Sequence, residues 1–87
     1  MEEIKKISKV IKSLKSDNEI YAFLNELLTE SELNVLSKRW RILNMLEAGC
    51  TQREIANKLG VSLCKVTRGA KILKNKDVVV KKYLTKG

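Results

Sequence analysis

The 87-residue chain, 44% apolar and 32% charged with no proline, has the balance of one small globular domain and excludes a disordered one. No apolar run nears the roughly 20 residues that cross a bilayer, and the charge-studded start MEEIKKISKVIKSLK has no signal-peptide centre, so a cytoplasmic location is expected. There is no histidine, and Cys50 and Cys64 form no C-x-x-C pair, which excludes a metal site and points to free thiols, while a net charge of +8 favours a polyanionic partner.

Ile4, Ile7, Ile11 and Leu14 recur at helical spacing and mark a first helix over 4–14. SDN at 16–18 interrupts it and offers Asp17 or Asn18 as the cap of a second helix. That helix carries Ile20, Tyr21, Phe23, Leu24, Leu27 and Leu28, more apolar residues than one face holds. Thr29 with Glu32 forms a capping-box pattern ahead of a third helix that runs to Ala48, with Gly49 as its stop. Its apolar set of Leu33, Val35, Leu36, Trp40, Ile42, Leu43, Met45 and Leu46 again exceeds a single stripe. Two such helices need more cover than a chain this short supplies, so a homodimer sharing one core, Trp40 included, is expected over a tight monomeric bundle.

Residues 51–69, TQREIANKLGVSLCKVTRG, keep a strict order of sparse apolar positions. Thr51 and Glu54 form a second capping box, so a helix begins at Gln52 with Ile55 and Leu59 turned inward and Ala56 small at a crossing. Gly60 ends it and takes the positive φ of a sharp turn; Ser62 caps the next helix, which buries Val66 and extends through Ile72 and Leu73. The pattern is helix, turn, helix. Gln52, Arg53, Leu63, Cys64, Lys65, Thr67, Arg68 and Lys71 are left outward. Residues 1–36 carry five Lys and seven acidic residues, a charge of −2, while 37–87 carry thirteen Lys or Arg and three acidic residues, +10. Together these features point to double-stranded DNA, with Ser62 and the small residues at a helix N-terminus entering a major groove. Arg53 and Lys65 are expected at bases, and Thr67, Lys71 and Lys74 at phosphates. The alternative is a helical corner with a solvated basic face. After it, DVVVKKYLTKG suits a last helix over 77–85 capped by Asp77, although three valines also fit a strand.

LLTESE at 27–32, KRWRIL at 38–43, and TQREIANKLGVS with VTRG and LK up to residue 74 are similar to the Trp repressor family. The resemblance implies an all-α fold of five to six helices, an intertwined homodimer and a palindromic operator. It divides the single domain 1–87 into dimerisation helices at 1–48, the helix-turn-helix at 51–73 and a C-terminal helix. In the family two arginines sandwich the indole of the corepressor L-tryptophan. Arg39 and Arg68 stand at the matching positions, Thr29 matches a hydroxyl near the carboxylate, Gly69 lies beside the ring, and Leu28 completes the ligand set. Three positions depart from the family. Ile72 stands where a serine faces the ligand amine, the stretch between Gly49 and Gln52 is one residue shorter, and Lys65 replaces a threonine.

The expected function is a sequence-specific transcriptional repressor modulated by L-tryptophan or a related ligand. The alternatives are a constitutive member of the family, a recombinase- or transposase-type DNA-binding module, and a module docking an acidic protein. With no histidine and few carboxylates in the basic half, no acid–base pair or activated nucleophile is available, so an enzyme is not expected.

Overall fold

The structure, a computed structural model, describes residues 1–84, which form five α-helices and a 3-10 helix with no strand among them. The helices are α1 Glu2–Ser13, α2 Asp17–Leu27, α3 Glu30–Glu47, α4 Gln52–Leu59 and α5 Leu63–Lys74, followed by the 3-10 helix Val79–Tyr83. The chain divides into two compact units, Met1–Leu33 and Asn34–Gly87.

In the first unit, the chemistry of the helix ends sits in short-range side-chain bonds. Ser16, not Asp17 or Asn18, caps α2: its extended backbone lets its hydroxyl accept from the Glu19 amide at 3.1 Å. Glu19 in turn accepts from the Lys15 amide at 3.1 Å, so Ser16-x-x-Glu19 behaves as a reciprocal cap with its return bond one residue early. Thr29 and Glu32 form the expected box, with Glu32 accepting from the Thr29 amide at 2.9 Å and Thr29 accepting from the Glu32 amide at 3.1 Å. No side chain of residues 1–33 is buried; Ile7, Ile11, Leu14, Ile20, Phe23, Leu24 and Leu28 are only half-buried.

The second unit holds the core. Ile42 of α3, Ile55 and Leu59 of α4 and Val66 of α5 are buried together, with Met45, Leu46, Cys50, Ala56 and Val61 packed around them. α3 stops in a Schellman turn: the Gly49 amide donates to the Leu46 carbonyl and the Cys50 amide to the Met45 carbonyl, both at 3.0 Å, with Gly49 at φ +95°. Gly60, at φ +65°, turns α4 into α5 in the same left-handed region. Gly69 lets α5 approach α3 closely, since a Cβ there would meet Ile42 Cγ2 at 3.1 Å and Leu46 Cδ1 at 3.3 Å.

The C-terminal element differs from the expected helix. Asp77 caps nothing; its amide donates to Asn75 Oδ1 at 2.9 Å, making a local turn. Val78 precedes the 3-10 helix without a side-chain cap. Three consecutive β-branched residues lose rotamer freedom in an α-helix, and five residues are too few to offset nucleation. Residue 85, included in the expected helix, lies outside the described residues.

The box at α4 is complete: Glu54 accepts from the Thr51 amide at 2.9 Å and Thr51 accepts from the Glu54 amide at 3.2 Å. The bond from the Thr51 amide, then that from its hydroxyl, hold the Glu54 carboxyl below the ordinary glutamate range. Folding therefore lowers this pKa, so the cap's contribution is complete above that range and is lost as acid protonates Glu54. Thr51→Ala should cost about 1 kcal/mol of unfolding free energy at neutral pH. Glu54→Gln should flatten the acid limb of stability against pH, measured by chemical denaturation between neutral and acidic buffers. An unchanged acid limb would refute the role given to this carboxylate.

Candidate nucleic-acid interface

α4 and α5 form the helix-turn-helix that the spacing of Ile55, Leu59, Gly60 and Val66 predicts, and these apolar residues are what hold the pair. With Ile55 and Val66 fully buried between the helices, the opposite face of α5 is turned outward. Leu63, Cys64, Lys65, Arg68, Lys71 and Lys74 are exposed along α5, and Arg53 is exposed on the first turn of α4. Ser62 is exposed at the turn, where its hydroxyl accepts from the Lys65 amide at 3.4 Å and caps α5.

Two residues read as outward are not free. Gln52 and Thr67 are half-buried, and the Thr67 hydroxyl lies 2.8 Å from Gln52 Oε1 and 3.0 Å from the Leu63 carbonyl. Their separation of 15 residues has no local sequence signal, so spacing rules within one helix could not find the bond.

The charge of this unit is uncompensated. Among the described residues the only ion pair is Lys6 with Glu3, in α1. Lys38, Arg39, Arg41, Arg53, Lys58, Lys65, Arg68, Lys71, Lys74, Lys76 and Lys82 are therefore exposed cations with no carboxylate against them. A folded protein gains nothing internally from such a set, whose mutual repulsion is relieved by a polyanion. Lys81 is the exception, half-buried, with its ammonium donating to the Leu73 carbonyl at 3.1 Å. It satisfies a carbonyl near the C-terminal end of α5, where the helix dipole also favours a cation. Sequence reasoning missed this latch; a lysine soon after a helix end was the available signal.

Of the residues tied to a ligand, Arg39 and Arg68 are exposed guanidiniums on α3 and α5. Gly69 is buried against Ile42, Leu43 and Leu46 of α3. Ile72, half-buried on α5, offers no hydrogen bond. In the first unit, Leu28 is half-buried at the end of α2, and the Thr29 hydroxyl caps α3 by accepting from the Glu32 amide. Cys50 and Cys64 are free thiols, and no described helix is long and apolar enough to cross a membrane.

Comparison with known proteins agrees with this geometry. A Trp repressor homolog of Xylella fastidiosa strain M23, described as a Trp operon repressor homolog, is 39% identical over 71 residues, which span 80% of this chain and 77% of that protein. The Trp operon repressor homolog of Chlamydia trachomatis serovar D is 43% identical over 60 residues, 68% of this chain and 64% of that one. That of Chlamydia caviae is 38% identical over 72 residues, 82% and 71% of the two chains. No solved structure gives a significant match. The family model described as Trp repressor protein matches residues 2–87, well beyond the 27–74 on which the sequence resemblance rests. With five helices, a helix-turn-helix and a family match along nearly its whole length, this chain belongs to the Trp repressor family.

Proposed function

We propose that this chain is a sequence-specific DNA-binding transcriptional repressor, acting as a homodimer on a palindromic operator in the cytoplasm. The observation that carries the reading is the helix-turn-helix whose outer face presents Arg53, Lys65, Arg68, Lys71 and Lys74 without a carboxylate partner. Arg53 and Lys65 read base edges, Lys71 and Lys74 hold phosphates, and Ser62, Leu63 and Cys64 bring the N-terminus of α5 to the groove. The dimerising role of residues 1–48 belongs to the same proposal, as does the treatment of 1–87 as one functional domain. Selection from a pool of random duplexes should enrich a two-fold symmetric sequence; enrichment of none would refute this reading. Selection of an acidic protein in its place would favour the docking module.

The effector is L-tryptophan or a related indole acid. Two exposed guanidiniums, Arg39 and Arg68, suit a flat ring by stacking and cation–π attraction, and either also pairs with a carboxylate. Leu28, Thr29 and Gly69 complete the ligand set that family membership suggests. Ile72 supplies nothing to an amine, and a buried amine without a partner is costly, so a ligand lacking the amine suits this chain as well. Operator affinity should rise when the ligand is added, and ligand affinity should rise by the same factor when operator is present. Arg39→Ala and Arg68→Ala should each abolish that rise in a fluorescence titration. Ile72 also favours a second reading, a constitutive member of the family. Equal operator affinity with and without L-tryptophan and indole acids would establish it.

A further inference from the structure

We propose that Gln52 and Thr67 form a positioning pair that sets the crossing of α5 on α4, so that their hydrogen bond supports base reading without either side chain reading a base. The proposal rests on the DNA-binding reading above and reassigns two residues that the sequence places among the direct contacts.

Among the described residues, the bond between Thr67 Oγ1 and Gln52 Oε1, at 2.8 Å, is the only hydrogen bond between side chains of two different helices. Gln52 is the first residue of α4, and the Thr51–Glu54 box fixes the turn it belongs to. Thr67 lies one turn into α5, where its hydroxyl is also 3.0 Å from the Leu63 carbonyl. Both side chains are half-buried, while Arg53 beside the first and Arg68 beside the second are exposed.

Ile55, Leu59 and Val66 hold α4 and α5 together through apolar contact, which is not directional. Such contact limits how far apart the helices lie but tolerates rotation of one on the other. A hydrogen bond weakens steeply with misalignment, so one placed between the helices selects an angle. The proton inventory points the same way. Threonine has one hydroxyl proton, and two internal acceptors already surround it. A phosphate offers acceptors only, so Thr67 cannot donate to DNA without giving up its internal bond.

The test is a double-mutant cycle on the full chain, using the tightest duplex that the wild-type protein selects from a random pool and an unselected duplex as control. Gln52→Leu and Thr67→Val should each weaken binding to the selected duplex by about two- to tenfold, the span of one ordinary hydrogen bond. Binding to the control should hardly change, because a misaligned reading helix loses discrimination and keeps its cations. The double variant should lose no more than one of the singles, and Thr67→Ser should rescue binding. The same non-additivity should appear in thermal unfolding without DNA. Losses that multiply in the double variant would overturn the proposal, as would equal losses on both duplexes. Additive unfolding shifts without DNA would overturn it even if one of the singles proves too unstable for binding work. A wild-type chain that selects no duplex would refute the DNA-binding reading itself, an outcome distinct from an additive cycle.

Discussion

Raising the salt from about 50 to about 200 mM should weaken binding to duplex DNA by about three to five orders of magnitude, if two copies together neutralise about six to ten phosphates. The expectation follows from the charge that the fold leaves uncovered. Residues 37–87 carry +10, and no carboxylate pairs with any of the described cations among them. Each phosphate neutralised releases condensed counterions and contributes a slope of about −0.9 in log affinity against log salt. In a dimer every substitution removes two charges, so Lys71→Ala should make the slope shallower by about 1.8 units while lowering affinity for all sequences alike. Arg53→Ala and Lys65→Ala should instead relax discrimination at particular base pairs, by about 1–3 kcal/mol for a lost good contact. Salt-series titrations of the selected and an unselected duplex measure both. Equal loss by Arg53→Ala on the two duplexes would remove it from the base-reading set.

Features set by neighbours in the chain were legible before the structure. Thr29 with Glu32, Thr51 with Glu54, Ser62 and the two left-handed glycines act through bonds between residues five or fewer apart, so their spacing alone identifies them. The buried positions of the helix-turn-helix were legible for the same reason, since Ile55 and Leu59 share a face four residues apart. Ser16 shows where such reading slips. Asp17 and Asn18 compete for the cap by residue type, and only the backbone shows that Ser16 is the last extended residue. The valines at 78–80 fit two periods equally, and the turn at Asn75–Asp77 decided the outcome. What spacing cannot show is contact between elements. The Gln52–Thr67 bond and the Lys81 latch depend on where one helix end meets another, and Gly69 depends on how closely α3 passes.

A protein whose core is shared between two copies should unfold as a function of its own concentration, and this chain should do so strongly. Among the described residues its buried core is four side chains, Ile42, Ile55, Leu59 and Val66, all in the second unit. Residues 1–33 bury no side chain, yet two helices of 12 and 11 residues do not hold in water without a covered apolar face. Each unit leaves apolar surface uncovered: in the first, Ile4 and Leu27 are 51% and 50% exposed with Tyr21 and Val10 also open, and in the second, Leu36 and Trp40 are 46% and 44% exposed. A second copy of the chain is the partner that carries matching apolar helices in equal number. Each tenfold rise in protein concentration should then stabilise the folded dimer by about 1.4 kcal/mol, seen as a rising unfolding midpoint. Leu36→Lys separates this from a monomer. On a lone chain, a charge at a half-exposed site changes stability by about 0.5 kcal/mol or less. Under a second copy it becomes an unpaired buried ammonium and should cost about 3–5 kcal/mol, enough to leave the chain unfolded or dissociated at micromolar concentration. Sedimentation and chemical denaturation of the two proteins side by side decide the matter, and a stable folded monomer of 9.9 kDa would refute the shared core.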